Sequence, residues 1–505
     1  MIRSVSKFLF LVVITLGVYF IFRDFAGLKL NTADASTYLN IAENITSHKG
    51  FTVSFDLYQF FKTPYHPLWP FMQPVYPLLC ALVFMAHGAI EQVIKVNLFI
   101  MGLNAALAFY IIRFFVPSRL NLLFLVCLIF PLNFFFTALF PWTEQLYLFI
   151  FLITFFLFNR FPGSQRVISV VGALNGVLFL IRVSQIYSIP AYLLMMVMAK
   201  GERGQRLKNI FAFMAGFCIV LGPYQMFNLL VFHSLYPEYI KPAADYTLAH
   251  ISNASFYKPG QMGIFNHVGF KFTLASIGYF YGHVVGLCQN FSFSFIPILA
   301  YLSIPGHKKD GWRFVLNCLF QSAFIIIGYA FSFHWDPHAY YLEILRYSLV
   351  PYVLASLAGW YCFYELFFGS GIKWKKLFTV FLLFNFAFFT FYNFIKLRRD
   401  LMKYPRTQMS YYVDLYASDQ WINKSLPEKI LVASDDDQEA YFMHRPFISM
   451  PPGRSYNCSN LKLYNEIHGP DYYLLSKQVP DTCFGQIPHT QIYSNRTFRI
   501  LKIKK

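Results

Sequence analysis

Twelve apolar stretches, beginning near residues 8, 72, 93, 120, 144, 167, 185, 209, 272, 314, 346 and 377, punctuate this chain. Such a succession leaves few options, because a bilayer offers backbone groups no hydrogen-bond partners and only helices or closed barrels can cross it. The runs are too long and too continuously apolar for barrel strands, so a helical membrane bundle is expected. With 57% of its 505 residues hydrophobic and only 13% charged, the chain is excluded from the soluble globular class. Sixty-one Phe and thirty-five Tyr suit broad aromatic belts at the membrane interfaces. The formal charge of +18 arises from Lys and Arg in short loops between apolar runs, which reads as a topology signal and not as a nucleic-acid face. Residues 1–22 are basic and then apolar, with no convincing cleavage site after them, and are expected to form an uncleaved first span.

Charge assigns the sides. Six basic clusters separate the runs: Arg3/Lys7, Arg113/Arg119, Arg160/Arg166, Lys200/Arg203/Arg206/Lys208, Lys308/Lys309/Arg313 and Lys373/Lys375/Lys376. All six face the cytoplasm if the stretch 71–88, broken by Pro74 and Pro77, does not cross and 271–305 crosses once. The expected fold is thus an all-α polytopic bundle of about 11–13 transmembrane helices, with the N-terminus inside and the C-terminus outside. A bacterial inner membrane, with the C-terminus in the periplasm, is the expected location.

The outer side then gathers acids and cations from four distant segments. The loop 24–70 carries Asp34, Glu43, Lys62 and His66, Glu144 opens a span, and Arg182 lies at a turn between two short helices. The loop 334–347 adds Glu343, Arg346 and Tyr347. Charge beside lipid is costly and is retained where it works, so this convergence predicts a site.

The order of these residues resembles the GT-C superfamily of polyprenyl-phosphate-sugar-dependent membrane glycosyltransferases, in the manner of protein O-mannosyltransferases and the lipid A aminoarabinose transferase. Asp34 followed by Tyr38-Leu39-Asn-Ile-Ala42, the Pro-rich Pro64-Tyr-His-Pro67, Thr143-Glu144, the run from Gly172 through Arg182 to Pro190, and Arg346-Tyr347 match its pattern over residues 1–370. One departure is that many members carry two adjacent acids in the first loop, whereas Ala33 precedes Asp34 here. The resemblance implies a donor sugar on a polyprenyl phosphate, a glycan, lipid or protein acceptor, and transfer at the outer membrane face with inversion. It makes Asp34 the base that takes the acceptor's proton. Arg182, Arg346 and Lys62 become partners of the leaving phosphate. Glu144, Glu343, Tyr347 and His66 then orient these cations or bind the sugar. No cofactor is expected, since isolated acids give little support to a divalent metal.

Plainer readings stand beside these roles. Asp34 is also what begins a helix, Glu144 what compensates a helix dipole, Arg182 what snorkels, and Glu343/Arg346 what a structural ion pair looks like. His334, Asp336 and His338 alternate along one segment, but Pro337 intervenes and no fourth ligand is evident. A transporter or flippase of a lipid-linked sugar, or a lipid-linked glycan polymerase or ligase, would also place charge in a bundle. The chain shows no internal repeat of the kind a transporter would carry.

Composition turns polar after residue 396. A membrane domain over 1–396 and a small extramembrane α/β domain over 397–505 are expected, with strands near 429–433, 447–450, 472–476 and 497–503. The run Asp435-Asp436-Asp437 reads as a strand-to-helix turn. Cys458 and Cys483 alone lie in this domain, where an oxidising compartment would permit a disulfide.

Overall fold

The computed structural model describes residues 2–23, 33–52, 55–56, 73–87, 90–118, 121–129, 132–199, 202–232, 297–303, 309–332, 346–366, 414–434, 447–449, 469–477 and 487–504, with a few single positions between them. Two compact units result. The first comprises Met1–Leu28, Glu91–Phe227 and Phe270–Asp400, and the second Lys29–Ile90, Asn228–Gly269 and Leu401–Lys505.

The first unit is helical. Its described elements are α1 (Ile2–Phe22), α4 (Ile90–Phe115), α5 (Asn121–Ile129), α6 (Leu132–Phe136), α7 (Glu144–Arg160), α8 (Gln165–Ile181), a 3-10 turn (Val183–Tyr187), α9 (Ile189–Val197), α10 (Arg203–Phe232), α11 (Lys309–Ser332) and α12 (Leu349–Tyr364). Among the described residues three helices are long and apolar enough to cross a bilayer, Ile90–Phe115, Arg203–Leu230 and Gly311–Tyr329. Shorter apolar helices accompany them at Leu9–Phe22, Gln165–Ile181, Val183–Val197 and Leu349–Tyr364. This is an integral membrane architecture. The expected runs beginning near 272 and 377 lie outside the described residues. Helices α8 and α10 approach so closely that a Cβ on Gly172 would strike the Phe213 carbonyl, and one on Gly216 the Ser169 carbonyl. Small residues permit this contact where lipid supplies no hydrophobic drive between helices.

The second unit holds α2 (Ala33–Thr46), α3 (Val75–His87) and a six-stranded sheet. Helix α2 packs on α3, with Tyr38 meeting Tyr76 edge to face at 5.2 Å. At about 1.5 Å per residue the 13 residues of α3 reach only about 20 Å, short of a bilayer core. The strands are β1 (Phe55–Asp56), β2 (Val432–Ser434), β3 (Phe447–Ser449), β4 (Tyr472–Ser476), β5 (His489–Ser494) and β6 (Phe498–Ile503), in the order β1-β3-β2-β4-β6-β5. The first four are parallel and the last two antiparallel.

Alternation along the strands divides the sheet's core between its two faces. Val432, Phe447, Tyr472, Leu474, Phe498 and Ile500 pack with Leu415 and Ile422 from the helix over 414–425. Ala433, Ile448, Tyr473, Leu475, Leu501 and Ile503 pack with Phe484 and Ile487 on the other face. A strand covered on both faces is expected to be largely apolar, as Tyr472–Leu475 of β4 are. Two strands were not expected from sequence. Edge strand β5 is largely polar and half exposed, and β1 comes from the first loop, some 390 residues before its partner β3. The domain boundary expected at residue 397, Asp435–Asp437, Cys458 and Cys483 all lie outside the described residues.

Candidate active site

Asn97 and Asn104 stand seven residues apart on α4, fully buried, and they fix the turn that delivers Glu144. The Asn97 amide donates to the carbonyls of Phe140 (2.7 Å) and Trp142 (3.4 Å). Asn104 donates to the backbone carbonyl (2.9 Å) and side-chain oxygen (2.8 Å) of Gln145. Gln145 in turn donates to the Phe134 carbonyl at 2.8 Å and to Thr137 Oγ1 at 2.9 Å. The chain thereby enters α7 with Glu144 in its first turn, 3% exposed.

Arg182 arrives from the other side. Helix α8 starts at Ser164, whose hydroxyl accepts from the Val167 amide, and ends where Arg182 turns extended (φ −150°, ψ 124°). The 3-10 turn and α9 follow, with Pro190 in the first turn of α9, where a missing N–H is tolerated. Arg346 lies just before α12.

Two guanidinium groups converge on one carboxylate oxygen. Arg182 Nη1 donates to Glu144 Oε1 at 2.5 Å and Arg346 Nε donates to the same oxygen at 2.8 Å. Arg182 Nη1 also donates to Thr143 Oγ1 at 2.9 Å, so this hydroxyl serves the arginine and does not cap α7. Arg346 lies over the Trp142 ring at 4.2 Å, and Trp142 is itself stacked on Phe140. The Tyr347 ring lies 5.2 Å from the Arg182 guanidinium and 5.5 Å from that of Arg346. Tyr329 stacks behind it at 4.5 Å, its hydroxyl donating to Ser184 Oγ at 2.7 Å.

The electrostatics are uneven. Two arginines, only 13% and 10% exposed, share one oxygen of the 3% exposed Glu144 carboxylate. Glu144 Oε2, also buried, has no hydrogen-bond partner among the described residues. Two guanidinium groups brought to one point present N–H donors in the geometry that suits a carboxylate or a phosphate.

The structure thus brings Glu144, Arg182, Arg346 and Tyr347 together within the first unit. Asp34 lies in the second unit, in the first turn of α2, half-buried ahead of a buried run from Ala35 to Ala42. Lys62, His66 and Glu343 lie outside the described residues, as do His334, Asp336 and His338. Among the described residues no group of three or more His, Cys, Asp and Glu side chains is arranged to hold a metal ion. Sequence reasoning did not single out Asn97, Asn104, Gln145 or Trp142. The one available signal was the seven-residue spacing of two asparagines inside an apolar run.

Solved structures share this architecture over nearly the whole chain. ArnT from Cupriavidus metallidurans bound to undecaprenyl phosphate superposes with a TM-score of 0.60, covering 98% of both chains at 11% identity. The apo state of the same protein matches with a TM-score of 0.55 and 10% identity, over 99% of this chain and 98% of that one. The chain has a GT-C fold. The oligosaccharyltransferase of Archaeoglobus fulgidus in complex with Zn and sulfate extends the GT-C likeness, with a TM-score of 0.55 and 14% identity over 88% of this chain and 64% of that one. No family model and no curated protein matches this chain by sequence. The GT-C likeness is therefore one of fold, carried by backbone arrangement far below the identity at which residues could be transferred.

Proposed function

We propose that this protein is a membrane glycosyltransferase that moves a sugar from a polyprenyl phosphate to an acceptor hydroxyl at the outer membrane face, with inversion. The observation that carries the reading is the convergence of two buried arginines, Arg182 and Arg346, at Glu144. A departing polyprenyl phosphate develops negative charge as the bond to the anomeric carbon breaks. Preorganised guanidinium groups stabilise that charge without reorganising. Glu144 bridges the two guanidinium groups and offsets their mutual repulsion, holding them side by side for the ligand. The aromatic groups at the cluster, Trp142 and Tyr347, fix the arginines by their ring faces.

Asp34 is the proposed base, since an alcohol attacks poorly until a carboxylate accepts its proton. Lys62 is assigned to the phosphate as a third cation, and Glu343, Tyr347 and His66 to orienting the sugar or the cations. The membrane machinery is assigned to 1–396 and an extramembrane domain to 397–505, with the N-terminus in the cytoplasm of a bacterial cell and the C-terminus in the periplasm. The bound undecaprenyl phosphate of the structurally similar ArnT supports a ligand of this class.

Sugar transfer by the purified protein from a panel of polyprenyl-phosphate monosaccharides, wild type against Asp34→Asn, tests the reading. Turnover by wild type that collapses in the folded variant is expected. Turnover untouched by Asp34→Asn would keep the enzyme class and remove the base. Binding of the donor without turnover, together with its movement across vesicle membranes, would replace the transferase by a transporter.

A further inference from the structure

A second, neutral rung lies beneath the charged one. Helix α7 contributes Glu144 and Tyr147, one turn apart on one face. The segment after α8 contributes Arg182 and Gln185, three residues apart, and the Gln185 amide closes the turn on the Arg182 carbonyl at 3.0 Å. Glu144 pairs with Arg182, and Tyr147 pairs with Gln185 by donating its hydroxyl to Gln185 Oε1 at 2.5 Å. The Gln185 side chain is fully buried. Its Nε2 donates to Asn175 Oδ1 at 2.5 Å and to Ser188 Oγ.

The polarity of this rung is determined from below. The Asn175 amide nitrogen donates to the Val171 carbonyl at 2.7 Å, so Asn175 presents its oxygen to Gln185. Gln185 must answer with its nitrogen, which leaves its oxygen for Tyr147. An ionised residue here would need its own counter-charge and would alter the electrostatics of the rung above. A neutral amide fixes the register of α7 against the turn and adds no charge beside the arginines.

We infer that Gln185 is a positioning residue that holds Arg182 in place for an anionic ligand. The inference rests on the reading of Arg182 as a phosphate partner. Its test is equilibrium binding of undecaprenyl phosphate to the purified full-length protein, in wild type, Arg182→Ala, Gln185→Met and the double variant. Gln185→Met preserves length and removes the side-chain hydrogen bonds to Tyr147, Asn175 and Ser188 while keeping the backbone bond to Arg182. It is expected to weaken binding about tenfold, the scale set by one buried polar partner left unsatisfied. In the Arg182→Ala background the same change is expected to add nothing, since coupled residues fail to add. Tyr147→Phe removes one hydroxyl and keeps the ring, and is expected to weaken binding in the same direction by a few-fold, which provides a second route if Gln185→Met folds poorly. Wild-type binding by Gln185→Met and Tyr147→Phe while Arg182→Ala is weakened would overturn this inference alone. Equal losses from Gln185→Met in both backgrounds would reduce Gln185 to ordinary packing and overturn it as well. Wild-type binding by Arg182→Ala would remove the phosphate reading and this inference with it.

Discussion

The turn around Glu144 and the sheet of the second unit are held by opposite means. In the sheet, alternate residues of β2, β3, β4 and β6 go to two apolar clusters, and burial alone dictates register, since a slip by one residue exchanges the faces. Around Glu144, positions are set by amides: Asn97 on two carbonyls, Asn104 on Gln145, Gln145 on Phe134 and Thr137, Gln185 on Asn175. The surroundings explain the contrast. If the sheet lies outside the membrane, as proposed, water penalises every exposed apolar side chain and hydrophobicity discriminates one arrangement from another. Lipid is as apolar as leucine, so inside a membrane bundle apolar contacts discriminate weakly and polar bonds carry the specificity. The lesson for this chain is that geometry in the bundle should be sought in its few buried amides.

The contrast is open to attack at each end. The largest effect is expected from Arg346→Ala, which removes one of the two groups proposed to face the departing phosphate. Loss of one such preorganised donor predicts a fall in turnover on the order of 10²–10³-fold, read from steady-state transfer rates. Arg346→Lys should restore little, because a lysine cannot reproduce the Nε contact to Glu144 while lying flat over Trp142. Next comes Leu474→Ala in the fully buried β4, expected to cost about 2–5 kcal/mol in unfolding experiments. Turnover below the melting temperature should be unchanged, and a loss rivalling that of Arg346→Ala would show that the sheet is more than a scaffold. The smallest effect is expected from Trp142→Phe, which keeps an aromatic face under Arg346 but a weaker one. A loss of about 0.5–1 kcal/mol, a few-fold in donor affinity, follows from the cation–π scale.

Much of the bundle was legible because apolar runs announce helices. The runs expected near 93, 144, 167, 209 and 314 correspond to α4, α7, α8, α10 and α11. Strands β3 and β4 were legible for the related reason that buried parallel or central strands read as apolar segments, and β6 because Phe498, Ile500, Leu501 and Ile503 dominate its six residues. Strand β5 was not, because an edge strand with the sequence His-Thr-Gln-Ile-Tyr-Ser carries no such signal. Strand β1 was illegible in principle, since a two-residue pairing is decided by its distant partner. At the candidate site, Glu144, Arg182, Arg346 and Tyr347 stood out because charged groups between long apolar runs are conspicuous. Arg346 pairs with Glu144, 202 residues away, a partner that local spacing could not have indicated. The amides that hold the cluster were passed over, because an isolated Asn or Gln in an apolar run reveals its purpose only when its acceptor is seen.

We propose that the buried arginine pair is built for a phosphate on a lipid. It is tested most directly by comparing the binding of undecaprenyl phosphate with that of undecaprenol, the same chain without the charge, to wild type and to the Arg182→Ala/Arg346→Ala variant in detergent. Wild type is expected to prefer the phosphate by at least a hundredfold, and the double variant to bind both lipids equally and weakly. An undiminished preference for the phosphate in the folded double variant would mean that the anion is held elsewhere and that this cluster only braces the bundle.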